Sequence, residues 1–469
     1  MDRLGVLDSE FLNIEDGIAH LHIAGISVFE GPTPPAGGVE RLIGSKLDRI
    51  PRYRQRVRSV PLELGRPVWV DDPHFDLSYH VRRTALPSPG GDAELCTLMG
   101  RVMSQALDRN RPLWEAWVVE NLADGRWAMI SKVHHCMVDG IAGVDLLTVL
   151  LDAERDVELP TPPHWEPARE PSGPAMVLDA WWGLAGDLLA DARRLPLAVR
   201  RPGHALRQMG DVGVGTVRFL RHLTSTPPLE IEGRIGPDRV YAHSEVSFAD
   251  VRIIRDAFGG TVNDVVLAAV TRGFRALLLA GGEDPGGAVL RTLVPVSLRD
   301  ADARGVPDNR VSALLLELPV ALTDPVERLQ AVHARMHELK RSHMAEAGRI
   351  VSDLGDLAPP MVVGTVTRLA TRLIHRLPQH SINTVATNVP GPQFPLYCLG
   401  RRMLAYYPFV PISHGVRIGT AILSYDGHLA FGVTGDFDAG PDVDLLATAI
   451  ADGIVELRDL ALRNDHASA

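Results

Sequence analysis

Six prolines crowd into one short segment of this chain, and they constrain its folding more than any other feature. Proline fixes one backbone dihedral and has no amide hydrogen to donate, so the segment predicts a linker without regular structure. At 469 residues the chain is also long for a single hydrophobic core. We therefore predict two domains, 1–158 and 239–469, joined by a proline-rich and helical linker at 159–238. The prolines are Pro160, Pro162, Pro163, Pro167, Pro171 and Pro174.

Strand and helix patterns alternate in both predicted domains. In the first domain, the patterns predict strands at 20–30, 114–120 and 127–133 and helices at 38–50 and 93–107. In the second domain, they predict strands at 240–246, 289–298, 310–318 and 384–389, a hairpin at 421–433, and helices at 261–279, 324–340 and 443–462. The order of elements in the second domain loosely repeats the order in the first.

The acidic balance of the chain argues against a nucleic-acid partner. The formal net charge is -10, whereas a nucleic-acid surface requires a basic footprint. Small-molecule or lipid substrates fit this balance better.

Cysteine use and hydropathy bear on the compartment. The three cysteines are odd in number and far apart in the sequence, so they do not suggest a disulfide framework. The start lacks the basic and then apolar layout of a signal peptide, and no apolar run reaches the roughly 18 residues of a membrane-spanning helix. We expect a cytoplasmic protein in a reducing compartment, at most peripheral to a membrane.

The most informative motif follows an apolar strand. Trp127 to Val133 leads directly into His134-His135, and an Asp139-Gly140 pair comes shortly afterwards. Histidine is the one side chain whose ordinary pKa lies near neutrality, so at a buried strand end it can take a proton and later return it. The motif therefore predicts a general base.

Three other interpretations of this motif remain open. The histidines could be packed core residues, with Asp139 as the N-cap of a following helix. A metal site is a second possibility, because His135 and Asp139 have a spacing that shares a helix face; Gly140 and the lack of a third ligand nearby in sequence argue against it. Cys136 beside His135 could also be proposed as a nucleophile.

The motif has the form HHxxxDG, and here the chain resembles a known family. It is similar to the bacterial wax ester synthase/diacylglycerol acyltransferases, within the wider superfamily of CoA-dependent acyltransferases that includes chloramphenicol acetyltransferase and peptide-synthetase condensation domains. Four further motifs occur in the order typical of that family: Pro112-Leu113-Trp114, Val262-Asn263-Asp264-Val265, Val294-Pro295-Val296-Ser297-Leu298-Arg299 and Asn388-Val389-Pro390-Gly391-Pro392.

The resemblance implies a fold and a reaction. The fold class is α/β, of the α+β sandwich type, with two chloramphenicol-acetyltransferase-like domains, a helical crossover linker and an active-site channel between the domains. The implied reaction moves a fatty acyl group from acyl-CoA to a long-chain alcohol or a diacylglycerol. His135 would deprotonate the acceptor hydroxyl, without a covalent acyl-enzyme. No metal or cofactor is expected, because acyl-CoA is itself a substrate.

The resemblance also suggests roles for residues near the base. Asp139 is expected to form a buried salt bridge with Arg299, and Gly140 supports the same turn. Removing either partner of such a pair should cost about 3–5 kcal/mol. Asn263 is a plausible oxyanion donor, because its amide needs no protonation; the alternative is a helix cap.

Other parts of the motifs are expected to orient the site or to shape its walls. His134 is expected to orient the loop. The substrate channel is expected to be lined by Pro112, Leu113, Trp114, Asn388, Pro390 and Gly391. The chain departs from the family in one place, because His20-Leu21-His22 stands where a Met-His pair is expected.

Two rival functions remain at this stage. A condensation-type enzyme would use carrier-protein thioesters, although the motifs outside HHxxxDG favour the wax ester synthase family. A non-catalytic protein of a membrane or lipid-droplet surface is the other rival. Amphipathic segments at 175–200 and 361–377 would suit lipid contact, but they also fit helices packed on the domains.

Overall fold

The computed structural model describes residues 2–137, 149–161, 164–182, 229–297, 311–341 and 382–468. The predicted segment 361–377, most of 175–200 and most of the predicted linker therefore lie outside the described residues. Residues 173–182 are helical. Pro174 is the second residue of that helix, where the missing amide hydrogen costs little. The prediction of an irregular proline-rich segment is therefore wrong at its C-terminal end.

The predicted elements of the first part are present with small changes in length. The helix predicted at 38–50 ends at Lys46 and continues as a 3-10 turn, Leu47–Arg49, before the next turn begins at Pro51. The helices are α1 Val6–Ile14, α2 Gly38–Lys46, α3 Leu77–His80 and α4 Asp92–Ser104. The strands are β1 His22–Phe29, β2 Gln55–Arg58, β3 Val68–Asp71, β4 Val81–Ala85, β5 Trp114–Glu120 and β6 Trp127–His134.

The second part follows its predicted order closely. Its last helix continues past the predicted end at residue 462 and reaches Ser468. The helices are α5 Phe248–Phe258, α6 Val262–Ala280, α7 Pro325–Arg341 and α8 Val443–Ser468. The strands are β7 Arg239–Ser247, β8 Leu290–Ser297, β9 Val311–Leu318, β10 Thr384–Pro390, β11 Tyr397–Cys398, β12 Arg401–Phe409, β13 Ile418–Tyr425 and β14 His428–Asp436.

Two six-stranded sheets organise these elements. The first has the strand order β11-β12-β1-β6-β5-β4, and the second has the order β7-β14-β13-β10-β8-β9. In the second sheet, β10 runs parallel to both β8 and β13. Helices α5, α6 and α8 bury their apolar faces in the core of the second sheet, which includes Val251, Phe274 and Ile450. The described residues therefore form a mixed α/β fold with two six-stranded sheets and a small two-stranded sheet of β2 and β3.

The first sheet contains strands from both halves of the chain. Strand β12 pairs antiparallel with β1, so that Ala24 lies opposite Phe409, while β6 pairs with the other edge of β1. Tyr241 of β7 also donates a hydrogen bond of 2.9 Å to the carbonyl of Pro408. A domain boundary placed at one position in the sequence would therefore not separate the two sheets, because residues 397–409 belong to the sheet of the first half. The predicted domain limits remain predictions.

Among the described residues, no helix combines the length and the apolar character needed to cross a bilayer.

Candidate active site

The adjacent histidines His134 and His135 lie where β6 ends. His134 is the last residue of the strand and pairs with His22 of β1, and His135 begins a 3-10 turn, His135–Met137. The amide of His134 donates to the carbonyl of Leu113 at 2.9 Å, and the amide of His135 donates to the carbonyl of Leu21 at 3.0 Å. Hydrogen bonds from two neighbouring segments therefore hold the backbone of the pair in place.

The imidazole of His135 is held in its neutral form. Its ring packs on Phe11 of α1, with 4.2 Å between the ring centroids. Burial lowers the pKa of His135 to about 4, and the neighbouring His134 adds to this effect. The Nδ1 atom of His135 has no hydrogen-bond partner among the described residues. A neutral imidazole with an unpartnered nitrogen is the form that a general base requires.

His134 is placed differently from His135. It is 1% exposed, and its Nδ1 accepts a hydrogen bond of 3.1 Å from the amide of Cys136. Its Nε2 lies 3.5 Å from a carboxylate oxygen of Glu15. Since both nitrogens of His134 face protein groups, His135 is the better placed of the two for contact with a substrate. The orienting role expected of His134 remains a prediction.

Cys136 fits a structural role better than a nucleophilic one. Its side chain is fully buried, and burial raises the pKa of its thiol well above the ordinary value. The thiolate is the nucleophilic form of cysteine, and this environment disfavours it. These observations count against the interpretation of Cys136 as a nucleophile.

Sequence reasoning missed Glu15, which follows α1 and is central to this site. Its Oε1 accepts the amide of Leu21 at 3.1 Å, and its Oε2 accepts from the guanidinium of Arg109 at 2.5 Å. The Nε2 of His22 lies 3.4 Å from Oε1. Burial raises the pKa of Glu15, but the contacts with His134 and Arg109 outweigh burial and hold it well below its usual range. A buried, ionised carboxylate therefore lies behind the histidine pair.

Glu15, His22 and His134 are also candidates for a metal site. One ligand atom from each lies within 4.8 Å of the others, and imidazole with carboxylate is a donor set that suits zinc. However, Nδ1 of His134 accepts the amide hydrogen of Cys136. Neutral His134 must therefore carry its proton on Nε2, and a metal ion would have to displace it. The hydrogen bond at Nδ1 and the contacts of 3.4 Å and 3.5 Å with Glu15 favour a cluster of neutral imidazoles around a carboxylate over metal binding.

Asn263 lies in the first turn of α6 but does not cap that helix. Thr261 is the N-cap, and its hydroxyl and the carboxylate of Asp264 form a capping box. The alternative interpretation of Asn263 as a cap is therefore wrong. The side-chain oxygen of Asn263 accepts a hydrogen bond of 3.2 Å from Asn388 on β10, which leaves the amide hydrogens of Asn263 for another acceptor. Among the described residues, no hydrogen bond or ring contact joins this pair to His135.

The motif Pro112-Leu113-Trp114 packs beneath the histidine pair. Leu113 and Trp114 are buried in the core of the first half. The indole of Trp114 donates to the carbonyl of Tyr53 at 2.9 Å and stacks on His80, with 4.6 Å between the ring centroids. The carbonyl of Leu113 accepts the amide hydrogen of His134. The expected channel-lining role of this motif remains a prediction.

The motif Asn388 to Pro392 ends β10. A Cβ atom on Gly391 would lie 2.1 Å from the carbonyl oxygen of Ser424. This close approach excludes any side chain at position 391. The amide of Gly391 also donates to the hydroxyl of Ser424 at 3.2 Å. The motif therefore packs its turn against β13, and the channel-wall role of Asn388, Pro390 and Gly391 remains a prediction.

Three of the predicted site residues, Asp139, Gly140 and Arg299, lie outside the described residues. The expected Asp139–Arg299 salt bridge, the supporting role of Gly140 and the metal interpretation that used Asp139 therefore remain predictions.

Solved structures with the same fold place this chain in a class. A wax ester synthase/diacylglycerol acyltransferase from Marinobacter aquaeolei is 24% identical, with a TM-score of 0.67, and the match covers 98% of this chain and 99% of that one. The first condensation domain of the CDA synthetase is 16% identical, with a TM-score of 0.56, over 97% of this chain and 95% of that domain. The fold is thus that of the two-domain, chloramphenicol-acetyltransferase-like acyltransferases.

The family follows from matches along the whole chain. The wax ester synthase/diacylglycerol acyltransferase catalytic domain matches residues 4–266, and the C-terminal domain of the same family matches residues 308–458. A probable diacylglycerol O-acyltransferase of Mycobacterium tuberculosis is 38% identical over 99% of this chain and 97% of its own length. The chain therefore belongs to the wax ester synthase/diacylglycerol acyltransferase family, and it is an acyltransferase.

Proposed function

We propose that this protein transfers a fatty acyl group from acyl-CoA to the hydroxyl of a long-chain alcohol or a diacylglycerol, with His135 as the general base. The observation that carries the proposal is the contrast between the two imidazoles. Nδ1 of His134 accepts the amide of Cys136 and its Nε2 lies 3.5 Å from Glu15, while His135 is neutral, partly exposed and, among the described residues, has no hydrogen-bond partner at Nδ1. Relatives named as diacylglycerol O-acyltransferases support a lipid acceptor.

The reaction is an addition followed by an elimination. The imidazole of His135 takes the proton of the acceptor hydroxyl as the oxygen attacks the thioester carbonyl. The tetrahedral intermediate then expels coenzyme A, whose sulfur receives that proton, and an ester remains. No covalent acyl-enzyme and no cofactor are required, since the acceptor supplies the nucleophile.

Residues of the second half would stabilise the intermediate. The amide hydrogens of Asn263, which bond to no group in the described part of the chain, are suited to the developing oxyanion, because a neutral donor needs no change of protonation. The bond from Asn388 fixes which edge of Asn263 is available. Asp139 and Arg299 would form the supporting salt bridge that the family motif implies.

Contact with a membrane or lipid-droplet surface is the second part of the proposal. The helix at 173–182 buries Met176 and Ala180 against the segment around Val60. The same helix exposes Trp181 and Trp182 to solvent. Tryptophan is favoured at membrane interfaces, so this apolar surface is suited to a lipid phase that holds the substrates.

The test of the chemistry is thiol release from palmitoyl-CoA by the purified protein, with and without hexadecanol or a diacylglycerol. We expect acceptor-dependent release, and we expect His135→Ala to lower it by about 10²–10⁴-fold, the usual contribution of a general base. His164→Ala is the matched control, because the His164 side chain is 85% exposed and lies outside the proposed site. Equal rates in the parent and His135→Ala would refute the assignment of the base.

A further inference from the structure

One carboxylate is connected to the first two amides of the turn that carries His135. Glu15 Oε1 accepts the amide of Leu21 at 3.1 Å, and the carbonyl of Leu21 accepts the amide of His135 at 3.0 Å. On the other side, Glu15 Oε2 faces Nε2 of His134 at 3.5 Å, and Nδ1 of His134 accepts the amide of Cys136 at 3.1 Å. Two chains of contacts, one through Leu21 and one through His134, therefore lead from the turn to Glu15, and we call them the two arms.

These arms satisfy the first two amides of a short helical turn, which have no partner within the turn itself. They also determine the tautomer of His134. Because Nδ1 accepts a hydrogen bond, the single proton of the neutral ring is on Nε2, where it points toward the carboxylate. A negative charge at Glu15 therefore stabilises the one tautomer of His134 that can hold the amide of Cys136.

We propose that Glu15 is a positioning residue for the general base, acting through Leu21 on one side and His134 on the other. The inference rests on the proposed function, since it assumes that His135 is the base. Glu15 is itself 6% exposed in its side chain and bonded to protein groups, so it acts through these groups and not on the substrate.

The C-terminal end of α1 supports the same arrangement. Arg109 donates both to the carboxylate of Glu15 and to the carbonyl of Leu12, at 2.5 Å and 3.1 Å. Phe11, from the preceding turn of α1, packs on the ring of His135. One helix end therefore places the carboxylate, its counter-ion and the surface against which the base rests.

The arrangement requires a carboxylate and not merely a polar side chain. The amide of Leu21 donates to Oε1 of Glu15, and Nε2 of His134 lies 3.5 Å from Oε2, so both contacts favour an oxygen that carries no hydrogen. Glutamine has a single acceptor oxygen, so in Glu15→Gln its amide hydrogens would face one of the two donors. One arm must then break, and the turn with His135 loses part of its support.

The experiment compares the parent with Glu15→Gln and with the control Glu10→Gln. Glu10 lies on the same helix, and among the described residues its side chain accepts one hydrogen bond, from the amide of Asn13, which a glutamine oxygen can also accept. We expect Glu15→Gln to lower kcat about 10²-fold with little change in the KM for palmitoyl-CoA, because misplacement of a reacting group by about 1 Å has this effect. Glu10→Gln should retain the parent kcat.

The second readout is the tautomer of His134, from imidazole nitrogen chemical shifts in labelled protein. We expect the Nε2–H form in the parent and a loss of that form in Glu15→Gln. The parent spectrum alone tests the proposal if Glu15→Gln does not fold, because an Nδ1–H tautomer of His134 would overturn it.

Two further outcomes separate this inference from the proposed function. If His135→Ala abolishes turnover while Glu15→Gln keeps the parent kcat, His135 is supported as the base and the positioning role of Glu15 is refuted. If His135→Ala turns over like the parent, the proposed function itself fails. Stoichiometric zinc in the purified parent that is lost in both Glu15→Gln and His22→Ala would replace the positioning role with a metal site.

Discussion

The two halves of the molecule hold their candidate site residues in opposite ways. At the end of β6, the histidine pair is backed by a buried carboxylate and a guanidinium, and every arm of the network involves a charge or a titratable ring. At the start of α6, Asn263 and Asn388 share one bond of 3.2 Å between neutral amides. The histidine pair is therefore held by charged and titratable groups, whereas the Asn263–Asn388 pair is itself neutral and is joined by a single hydrogen bond.

The difference matches the chemistry proposed for each region. A general base changes its charge during the reaction, so its surroundings must control both its protonation state and its orientation. An amide that donates to an oxyanion never changes its charge, so it needs only the correct orientation toward the oxyanion. Stability and activity should therefore depend on pH and on charge-neutralising substitutions in the first region. In the second region, activity should depend only on the presence of the Asn263 donor.

Asn263→Ala should have the largest effect of the changes that test this comparison. Loss of one oxyanion donor typically lowers kcat by about 10²–10³-fold. The free energy of unfolding should fall by only about 1 kcal/mol, because a single hydrogen bond with Asn388 is lost. Steady-state rates and urea unfolding measure the two quantities. An unchanged kcat would remove Asn263 from the chemistry.

Local signals predicted the parts of the site that lie within one element. The strand that ends at His134, the helix that begins after Thr261 and the strand that precedes Gly391 are all confirmed. Each depends on periodicity, capping or turn residues within a few positions of the feature. Such signals are present in any single sequence.

Contacts between distant segments could not be predicted in this way. Glu15 meets His134 only because the end of α1 lies beside the strand pair β1 and β6, and no spacing in the sequence encodes that approach. The insertion of β12 beside β1 is likewise a pairing between the two halves of the chain. One weak signal was available, since His20-Leu21-His22 departs from the family pattern at the segment that contacts Glu15.

The pH dependence of stability should be the next largest effect, and it should come from the first region. The pKa of His135 is lowered to about 4 by burial and by His134, whereas an unfolded histidine titrates near about 6.5. Between these values the unfolded chain binds more protons, so stability falls as the pH drops through this window. The total loss is roughly 3 kcal/mol and levels off below about pH 4.

Urea unfolding of the parent and of His135→Asn, from neutral pH down to about pH 4, isolates this contribution. Other buried histidines, such as His22, titrate in both proteins, so the difference between the two curves reports His135. As the pH falls through this window, the parent should lose up to roughly 3 kcal/mol of stability relative to His135→Asn. The curve of Asn263→Ala should run parallel to the parent curve, about 1 kcal/mol below it at every pH. A pH-dependent gap for that variant would contradict the neutral character of the Asn263–Asn388 pair.

Thr261→Ala should have the smallest effect, and it separates the cap of α6 from the chemistry next to it. The Thr261 hydroxyl closes the capping box with Asp264, and removing such a cap costs about 1 kcal/mol of stability. The first turn of α6 is also fixed by Asp264, which binds His333 at 2.8 Å. The side chain of Asn263 should therefore keep its orientation, and kcat should stay near the parent value. A fall in kcat as large as that of Asn263→Ala would mean that the neutral region depends on its helix start as strongly as the charged region depends on Glu15.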